Sequence, residues 1–370
     1  DFRVPAGDDR RRHTVVLDLT ERCNLRCVMC YFSTTDRLRF PPFGRELAPN
    51  GNMPLATFER IAATYFPHAW RVALGCAAEP LIHREFGTFV RIAGRYRIPE
   101  LWFPTNLLAL NEEKAEAIVD AGVHTVAVSV DGMRAETYEK IRVGGRFAQL
   151  EERLALLNEA RQGSRTRLRI IFTWMRSNRA ELQLLPAFAA AHGAAEIDVR
   201  FVTPTVGVDN AAELLANEDP GALDDELAAA AEEAVRLGLR LAYYPGFETA
   251  EDREENLVAI TRRALWRMRA GLYRWEYFDY ELAKWRNGCA YPGRTYVIRP
   301  NGAVAPCIFW NDPPLALLPE MERAEVDRRL APVREGLRNG EPIGTCVTCT
   351  VRGDAFYQPF RGDETRPLID

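Results

Sequence analysis

Apolar residues along the first two-thirds of the chain fall into two alternating rhythms. Short apolar runs at Thr14–Leu19, Arg71–Gly75, Glu100–Thr105, His124–Val130, Leu168–Trp174 and Ile197–Val202 predict strands. Between them, Leu55–Tyr65, Arg84–Tyr96, Glu112–Ala121, Leu150–Gln162 and Arg179–His192 carry helical spacing. Regular strand–helix alternation predicts a parallel sheet with helices packed outside it. Six such units are more than a small open sheet needs and fewer than a closed eight-unit barrel. The expected fold class is therefore α/β, a partial (β/α)6 barrel of TIM-like form. In such folds functional groups gather at the carboxyl ends of the strands.

The pattern changes from Asp219 onward. Asp224–Leu237 is an acidic, alanine-rich helix, Leu239–Tyr244 suits one more strand, and Arg262–Trp285 is rich in Trp, Tyr and Arg at helical spacing. Arg294–Arg299 and Ala303–Pro306 flank a Pro300–Gly302 turn and predict a hairpin. A helix over Glu320–Asn339 and a Cys-x2-Cys turn follow. Residues 1–245 are expected to form the barrel core, 246–286 a helical connection, and 287–370 a small α+β unit with the C-terminal tail.

Composition narrows the function classes. With 370 residues, 47% of them apolar, the chain can build its core without covalent staples. A net charge of −4 gives no general attraction to nucleic acid or to an anionic membrane. No run of 18 apolar residues occurs, so no spanning helix is expected. The segment Asp1–His13 is polar and basic and lacks the apolar stretch of a secretory signal, so a cytoplasmic location is expected. The chain opens on Asp1 rather than Met.

Eight cysteines are too sparse for a disulfide scaffold, but their grouping matters. Cys23, Cys27 and Cys30 follow the first predicted strand with Cys-x3-Cys-x2-Cys spacing. Three thiolates on one compact loop leave the fourth iron of a cubane cluster open to a substrate or cofactor. The competing reading is a zinc site completed by His13 or His83.

The segment Glu21–Tyr31 resembles the signature of the radical S-adenosylmethionine (radical SAM) superfamily. The resemblance continues past the loop. Gly75-Cys76-Ala77-Ala78-Glu79-Pro80 resembles the family's Gly-Gly-Glu-Pro motif, with alanines in place of glycine. Thr105-Asn106 resembles Thr-Asn-Gly, with Leu107 in the glycine position, and Ser129-Val130-Asp131-Gly132 resembles Ser-x-Asp-Gly. Arg142 matches an arginine that follows in many members, and Asn178 matches a common helix cap. Met29 stands where many members have an aromatic residue. The resemblance implies that Cys23, Cys27 and Cys30 ligate a 4Fe–4S cluster. It further implies that Gly75, Ala77, Ala78, Glu79, Asn106, Ser129 and Arg142 position S-adenosyl-L-methionine. Asp131 could serve ribose or substrate, or simply cap the turn before Gly132.

The later cysteines, Cys289, Cys307, Cys346 and Cys349, are similar to the auxiliary-cluster domains of many radical SAM enzymes. With no cysteine after Cys349, they resemble the truncated form called twitch rather than the longer SPASM form. That resemblance implies a second 4Fe–4S cluster with four cysteine ligands. A four-cysteine zinc ribbon is the alternative. Cys76 suits a small apolar residue at a strand end, with an extra-ligand or thiyl role as the sharper reading.

Membership of the superfamily implies cleavage to a 5′-deoxyadenosyl radical and hydrogen abstraction from a substrate. An auxiliary cluster with four cysteines suits electron acceptance from the substrate radical. The expected substrate is a small polyol, aminocyclitol or sugar-like metabolite, dehydrogenated or epimerised in natural-product biosynthesis. A peptide-modifying maturase acting on a precursor peptide is the alternative. Twenty-two residues precede Cys23, so no separate peptide-binding domain is expected ahead of it. The expected partner is an electron donor such as flavodoxin or ferredoxin. Arg169 and Arg200 lie on strands and face either the barrel interior or the helices. Together with Asp131 they are the candidate catalytic groups. Tyr243, Tyr244, Tyr291 and Trp310 suit a pocket wall or core packing.

Overall fold

The structure, a computed structural model, describes residues 13–30, 51–76, 78–202, 210–215, 218–244, 295–308, 310, 313–318 and 322–347. The strands are β1 His13–Leu17, β2 Arg26–Cys27, β3 Ala69–Ala73, β4 Glu100–Thr105, β5 Thr125–Ser129, β6 Arg142–Val143, β7 Arg167–Trp174, β8 Glu196–Phe201 and β9 Arg240–Tyr244. The C-terminal part adds β10 Thr295–Ile298, β11 Ala303–Ala305 and β12 Ala316–Leu317. The helices are α1 Leu55–Tyr65, α2 Phe86–Gly94, α3 Glu112–Asp120, α4 Ala135–Ile141, α5 Phe147–Ala160, α6 Leu185–Ala191, α7 Pro220–Arg236 and α8 Arg323–Arg338.

Ten strands form one sheet in the order β12-β11-β10-β1-β3-β4-β5-β7-β8-β9, and every pairing from β10 to β9 is parallel. This is the expected α/β class. Alternation along β7 shows how the layers are built. Leu168, Ile170, Phe172 and Trp174 join the main core beneath the helices, so Arg169, Ile171 and Thr173 face the concave inner side. Helix starts follow sequence chemistry. Asn111 caps α3 through the Lys114 N–H at 3.0 Å, ahead of Glu112 and Glu113. Asp219 caps α7 through the Ala222 N–H at 2.9 Å, ahead of Pro220.

Two elements differ from the pattern. The predicted helix Arg179–His192 begins as a 3₁₀ turn, Arg176–Leu184, and becomes α-helical only at Leu185. Pro186 lacks the N–H that a continuing helix would donate, so the backbone changes register there. The short helix α4 is too brief to leave a periodic signal. The C-terminal hairpin also does more than form its own unit. β10 pairs in parallel with β1, Thr14 opposite Thr295 and Leu17 opposite Ile298, and so extends the barrel sheet. The predicted helix Arg262–Trp285 and the boundary near Asn287 lie outside the described residues. No helix among the described residues is long and apolar enough to cross a membrane.

α8 packs over this junction. Its Arg323 guanidinium contacts Nε2 of His13, and the His13 ring meets Tyr296 edge-on at 5.3 Å between centroids. Burial, and then the charge of Arg323, lower the His13 pKa from 6.5 to about 4. Above pH 6.5 the ring is neutral in folded and unfolded chains alike. As pH falls from 6.5 to about 4, the unfolded chain binds a proton that the folded chain refuses, so stability declines across that window. His13→Gln is expected to reduce this decline, measured as the denaturant midpoint at neutral and mildly acidic pH. His83, His124 and His192 are lowered by burial as well, so the slope should shrink rather than vanish.

Candidate functional site

The three-cysteine loop follows β1 directly and is stitched on several sides. Cys27 lies opposite Arg142 and Arg26 opposite Val143 in the two-stranded β2–β6 ribbon. The Val28 N–H donates to the Ile141 carbonyl at 3.0 Å, and the Glu79 N–H donates to the Arg22 carbonyl at 3.0 Å. Cys27 is buried, Cys23 and Cys30 are half-buried, and none of the three is in a disulfide.

Hydrogen-bond donors converge on these sulfurs. The Arg142 Nη1 lies 3.8 Å from Cys27 Sγ, Asn106 Nδ2 lies 3.9 Å from Cys23 Sγ, and the Leu25 N–H points at Cys23 Sγ from 3.5 Å. Burial pushes both the Cys23 and Cys27 thiols up; the Leu25 N–H opposes this at Cys23, and Arg142 opposes it at Cys27. Among the described residues, no three His, Cys, Asp or Glu side chains are grouped to hold a single metal ion. The zinc reading named His13 and His83. His83 directs Nε2 to the Met53 carbonyl at 3.2 Å and accepts the Glu85 N–H on Nδ1 at 3.1 Å. His13 stands at the start of β1, whereas the cysteines follow its end.

Behind the loop stands a buried ion pair. Arg142 Nη2 meets Asp131 Oδ2 at 2.6 Å, with side-chain exposures of 9% and 0%. Asp131 Oδ1 accepts the Thr173 N–H at 2.8 Å, which joins the ends of β5 and β7. Burial alone would lower the Arg142 pKa, but Asp131 and then Cys27 outweigh it and leave it raised. Asn178 completes the same corner. Its Nδ2 donates to the Asp131 and Thr173 carbonyls at 3.0 and 2.8 Å, and its Oδ1 accepts the Met175 N–H at 2.7 Å.

Glu79 is buried and organises the next corner. Oε1 accepts the Leu81 N–H at 3.0 Å and the Thr105 hydroxyl at 2.7 Å, while Oε2 accepts the Asn106 N–H at 2.6 Å. Burial pushes its carboxyl up, and the Asn106, Thr105 and Leu81 bonds pull it back. Its side chain thus ties the end of β3 to the end of β4. Asn106 is turned onto the cysteine loop by its bond to Asn24 Oδ1 at 2.8 Å. Leu107 follows with φ +68° and is fully buried. A left-handed residue here explains why glycine is the usual choice, at roughly 1–2 kcal/mol for a side chain. Gly132 is required for another reason: an added Cβ would lie 2.4 Å from the Tyr138 backbone nitrogen. Gly75 has φ +127°, and Ser129 ends β5 half-buried. Met29 packs beside Ile141, Met175 and Val202. Ala77 lies outside the described residues, whereas Ala78 is half-buried on the same turn.

Arg169 and Arg200 both face the barrel interior, at different depths. Arg169 pairs with Glu196 at 2.6 Å and stands 5.8 Å over the Trp102 ring, with Arg71 on that ring at 4.9 Å. This closes the bottom of the barrel, away from the cysteine loop. Arg200 pairs with the fully buried Asp198 at 3.0 Å near the carboxyl end of β8, with 46% of its side chain exposed. Its charge also acts on Cys76, which follows β3 on the far side of the sheet. Cys76 keeps accessible surface in this mouth while surrounding protein strips water from it, which pushes the thiol up to about 12.

Two buried acids had no motif to mark them. Asp18, just past β1, accepts the Cys76 N–H at 2.7 Å and pairs with Arg299 at 2.7 Å. Glu181 accepts the Met133 N–H and the Thr137 hydroxyl and so fixes the start of α4. A charged residue inside the apolar run Thr14–Leu19 was the available signal for Asp18. Of the second cysteine group, Cys307 and Cys346 share one buried cluster with Val297, Ala305, Trp310, Val333 and Leu337. Cys289, Cys349 and Tyr291 lie outside the described residues, and of Tyr243 and Tyr244 only the backbone is described.

Residues 17–173 match the radical SAM superfamily. This stretch carries a radical SAM domain. Members of that superfamily use a 4Fe–4S cluster and S-adenosylmethionine. The chain is also 34% identical over 137 residues to a GTP 3′,8-cyclase of Pelotomaculum thermopropionicum, covering 36% of this chain and 38% of that protein. To a GTP 3′,8-cyclase of Rhodobacter capsulatus it is 30% identical over 180 residues, covering 48% and 49%. The match thus spans less than half of these relatives. Among solved structures, Streptococcus suis SuiB bound to S-adenosylmethionine superposes with a TM-score of 0.63 at 15% identity, covering 92% of this chain and 71% of that one. The anSMEcpe structure with bound AdoMet gives 0.53 at 13% identity, covering 87% and 83%. At such identities these two likenesses concern the fold: the radical SAM partial barrel.

Proposed function

We propose that the chain is a radical SAM enzyme that acts on a small polyol, aminocyclitol or sugar-like metabolite, by dehydrogenation or epimerisation. The observation that carries the reading is the cradle around the cysteine loop. Three cysteines outside any disulfide sit on one loop, with Arg142 directed at Cys27 and Asn106 and the Leu25 N–H directed at Cys23. Donors of this kind favour thiolate sulfur. A cubane takes each thiolate on a different iron, which three cysteines spaced along one loop can supply. The residues therefore fit a 4Fe–4S cluster on Cys23, Cys27 and Cys30.

A cluster and S-adenosylmethionine bound there would supply the radical chemistry that removes a hydrogen atom from the substrate. The chain supplies position. Glu79 holds the ends of β3 and β4 together, so Asn106 and the Glu79 backbone meet the loop in fixed register. Asp131 and Arg142 fix Cys27 from behind, and Ser129 opens toward the same space. Arg200 and Asp198 stand at the barrel mouth, where a substrate would enter, and Arg169 closes the opposite end. Cys307 and Cys346 share one apolar cluster, which supports an auxiliary cluster completed by Cys289 and Cys349 in a twitch-type unit. Held there, such a cluster would supply one-electron oxidation of a hydroxyl-bearing substrate radical, whose hydroxyl proton would leave to water as the carbonyl forms.

The alternative is a peptide-modifying maturase that forms a crosslink, thioether or epimer. The fold likeness to SuiB, solved with its precursor peptide SuiA, favours it at a TM-score of 0.63. The GTP 3′,8-cyclase match is confined to less than half of each relative, so it supports the shared chemistry rather than a nucleotide substrate.

Anaerobic reconstitution tests the reading. About eight irons per chain are expected if both clusters are 4Fe–4S. Reductant and S-adenosylmethionine should then yield 5′-deoxyadenosine. Two zinc ions and no iron would end the proposal. Deuterium passing from a labelled polyol into 5′-deoxyadenosine would support the small-molecule reading, and transfer only from a precursor peptide would replace it.

A further inference from the structure

Ile197 and Val199 of β8 join the core beneath the helices, so Glu196, Asp198 and Arg200 face the concave side, one above another from the base of the barrel to its mouth. Asp198 stands in register between Ile171 of β7 and Ala242 of β9. A carboxylate between two apolar neighbours needs a cation, and Arg200 offers one at 3.0 Å. The two partners are not equally enclosed. Asp198 is fully buried, whereas Arg200 keeps nearly half of its side chain accessible at the mouth.

The same asymmetry holds around the mouth. Asp18 after β1, Glu79 after β3, Asp131 after β5 and Asp198 in β8 are each exposed by 3% or less. Their carboxylates are turned onto protein donors: Asp18 onto Arg299, Glu79 onto Thr105, Asp131 onto Arg142 and Asp198 onto Arg200. Beside the accessible guanidinium stands Thr173, half-buried and opposite Arg200 in the β7–β8 register. The Arg200 charge also reaches the Cys76 thiol, which follows β3 on the other side of the mouth. A molecule entering here meets a guanidinium and a hydroxyl, while these four acids stay sealed behind their partners.

We propose that Arg200 determines specificity at this mouth and selects a polyhydroxylated substrate that carries an anionic oxygen group, a carboxylate or a phosphate. The inference rests on the reading of the barrel as the site of a radical SAM enzyme for sugar-like metabolites, and it narrows that reading. A guanidinium fork pairs two oxygens of either anion in one plane. The ammonium group of an aminocyclitol would instead be brought against a like charge, with the neighbouring carboxylates out of its reach. Asp198 is a positioning residue: it holds Arg200 from behind and so fixes the direction in which the rest of the fork points. Thr173 offers its hydroxyl to a substrate hydroxyl beside the anion.

Sugars of one skeleton are the probes: glucuronate and glucose 6-phosphate carry the anion, glucose no charge and glucosamine a cation. Each is titrated calorimetrically into the reconstituted full chain with S-adenosylmethionine present. At least one anionic sugar should bind about tenfold or more tighter than glucose and glucosamine, with the gap closing as salt rises. The tighter of the two anionic sugars distinguishes carboxylate from phosphate. Arg200→Gln should erase the preference, and Arg200→Lys should keep part of it. Arg200→Gln also removes the cation beside buried Asp198, so a second measurement uses the unaltered chain. Phenylglyoxal labelling, mapped by mass spectrometry, should modify Arg200, and the preferred anionic sugar should slow that labelling while glucosamine does not. Equal affinities, tighter binding of glucosamine, or labelling of Arg200 that no anionic sugar slows would overturn the inference. Protection by S-adenosylmethionine alone would also overturn it and assign Arg200 to the methionine carboxylate. Failure to take up iron or to release 5′-deoxyadenosine defeats the proposed function instead, and both are measured before any sugar is added.

Discussion

Replacing Asp131 with alanine is expected to destabilise the fold by about 3–5 kcal/mol and to remove its capacity to hold iron at the cysteine trio. The change leaves the Arg142 guanidinium buried without its carboxylate partner at 2.6 Å, and it leaves the Thr173 N–H without its acceptor. An uncompensated buried charge is the larger of the two losses. Arg142 lies directly opposite Cys27 and contacts its sulfur, so its displacement reaches the loop. Asp131→Asn separates the components: it keeps an acceptor for Thr173 but removes the charge. It should recover part of the stability and little of the iron. Denaturant midpoints and iron counts on Asp131→Ala, Asp131→Asn, Arg142→Met and the pair Asp131→Asn/Arg142→Met close a double-mutant cycle. The double variant should be less destabilised than the sum of the singles. Strict additivity would show that the two side chains act independently, contrary to the geometry.

Much of this is legible in the sequence. Strand–helix alternation placed the barrel strands within two residues of where they stand, because each strand is buried on its helix side and so runs apolar for most of its length. The motif residues Glu79, Asn106, Asp131, Arg142 and Asn178 all converge around the loop. What they do there was less legible. Glu79 looks like a cofactor contact in a motif, yet its carboxylate oxygens are engaged by Leu81, Thr105 and Asn106. Hydrogen bonds between strand ends separated by 27 residues leave no periodic trace. Arg169 and Arg200 were undecided between inside and outside, because alternation fixes parity but not which parity faces the helices. Glu196, on the strand beside Arg169, and Asp198, two residues before Arg200 on the same strand, settle it: both arginines are interior and both are paired. Glu181 leaves no trace in the pattern because its partners, Met133 just before α4 and Thr137 within it, frame a helix too short to register as one.

The joint between β1 and the C-terminal hairpin is the second place where one substitution should have a large effect. Asp18→Ala is expected to cost about 3–5 kcal/mol, with the loss of order concentrated in residues 295–347. Asp18 and Arg299 are 3% and 4% exposed and meet at 2.7 Å across 281 residues of sequence. Around this pair the backbone is already committed. The Asp18 N–H donates to the Ile298 carbonyl at 3.0 Å, the Arg299 N–H donates to the Ala303 carbonyl at 2.9 Å, and Gly302 closes the turn at φ +85°. Arg299 Nη2 then reaches the Ile308 carbonyl at 3.0 Å, next to Cys307, while Asp18 Oδ1 holds the backbone of Cys76 at 2.7 Å. One ion pair therefore locks the edge of the first cysteine site to the turn that carries a cysteine of the second. Removing the carboxylate leaves Arg299 buried and uncompensated, and β10 must then rely on its ladder with β1 and the packing of Tyr296 on His13 and Tyr65. Hydrogen exchange is the direct measurement: amides of β10 and β11 should lose protection in Asp18→Ala while those of β4, β5 and β7 keep theirs. Arg299→Lys keeps the charge but not the two-armed reach to Asp18 and Ile308, so it should fall between the unaltered chain and Asp18→Ala. Uniform loss across the whole sheet would show that the hairpin is an inseparable part of the barrel's folding unit rather than a unit docked through this pair.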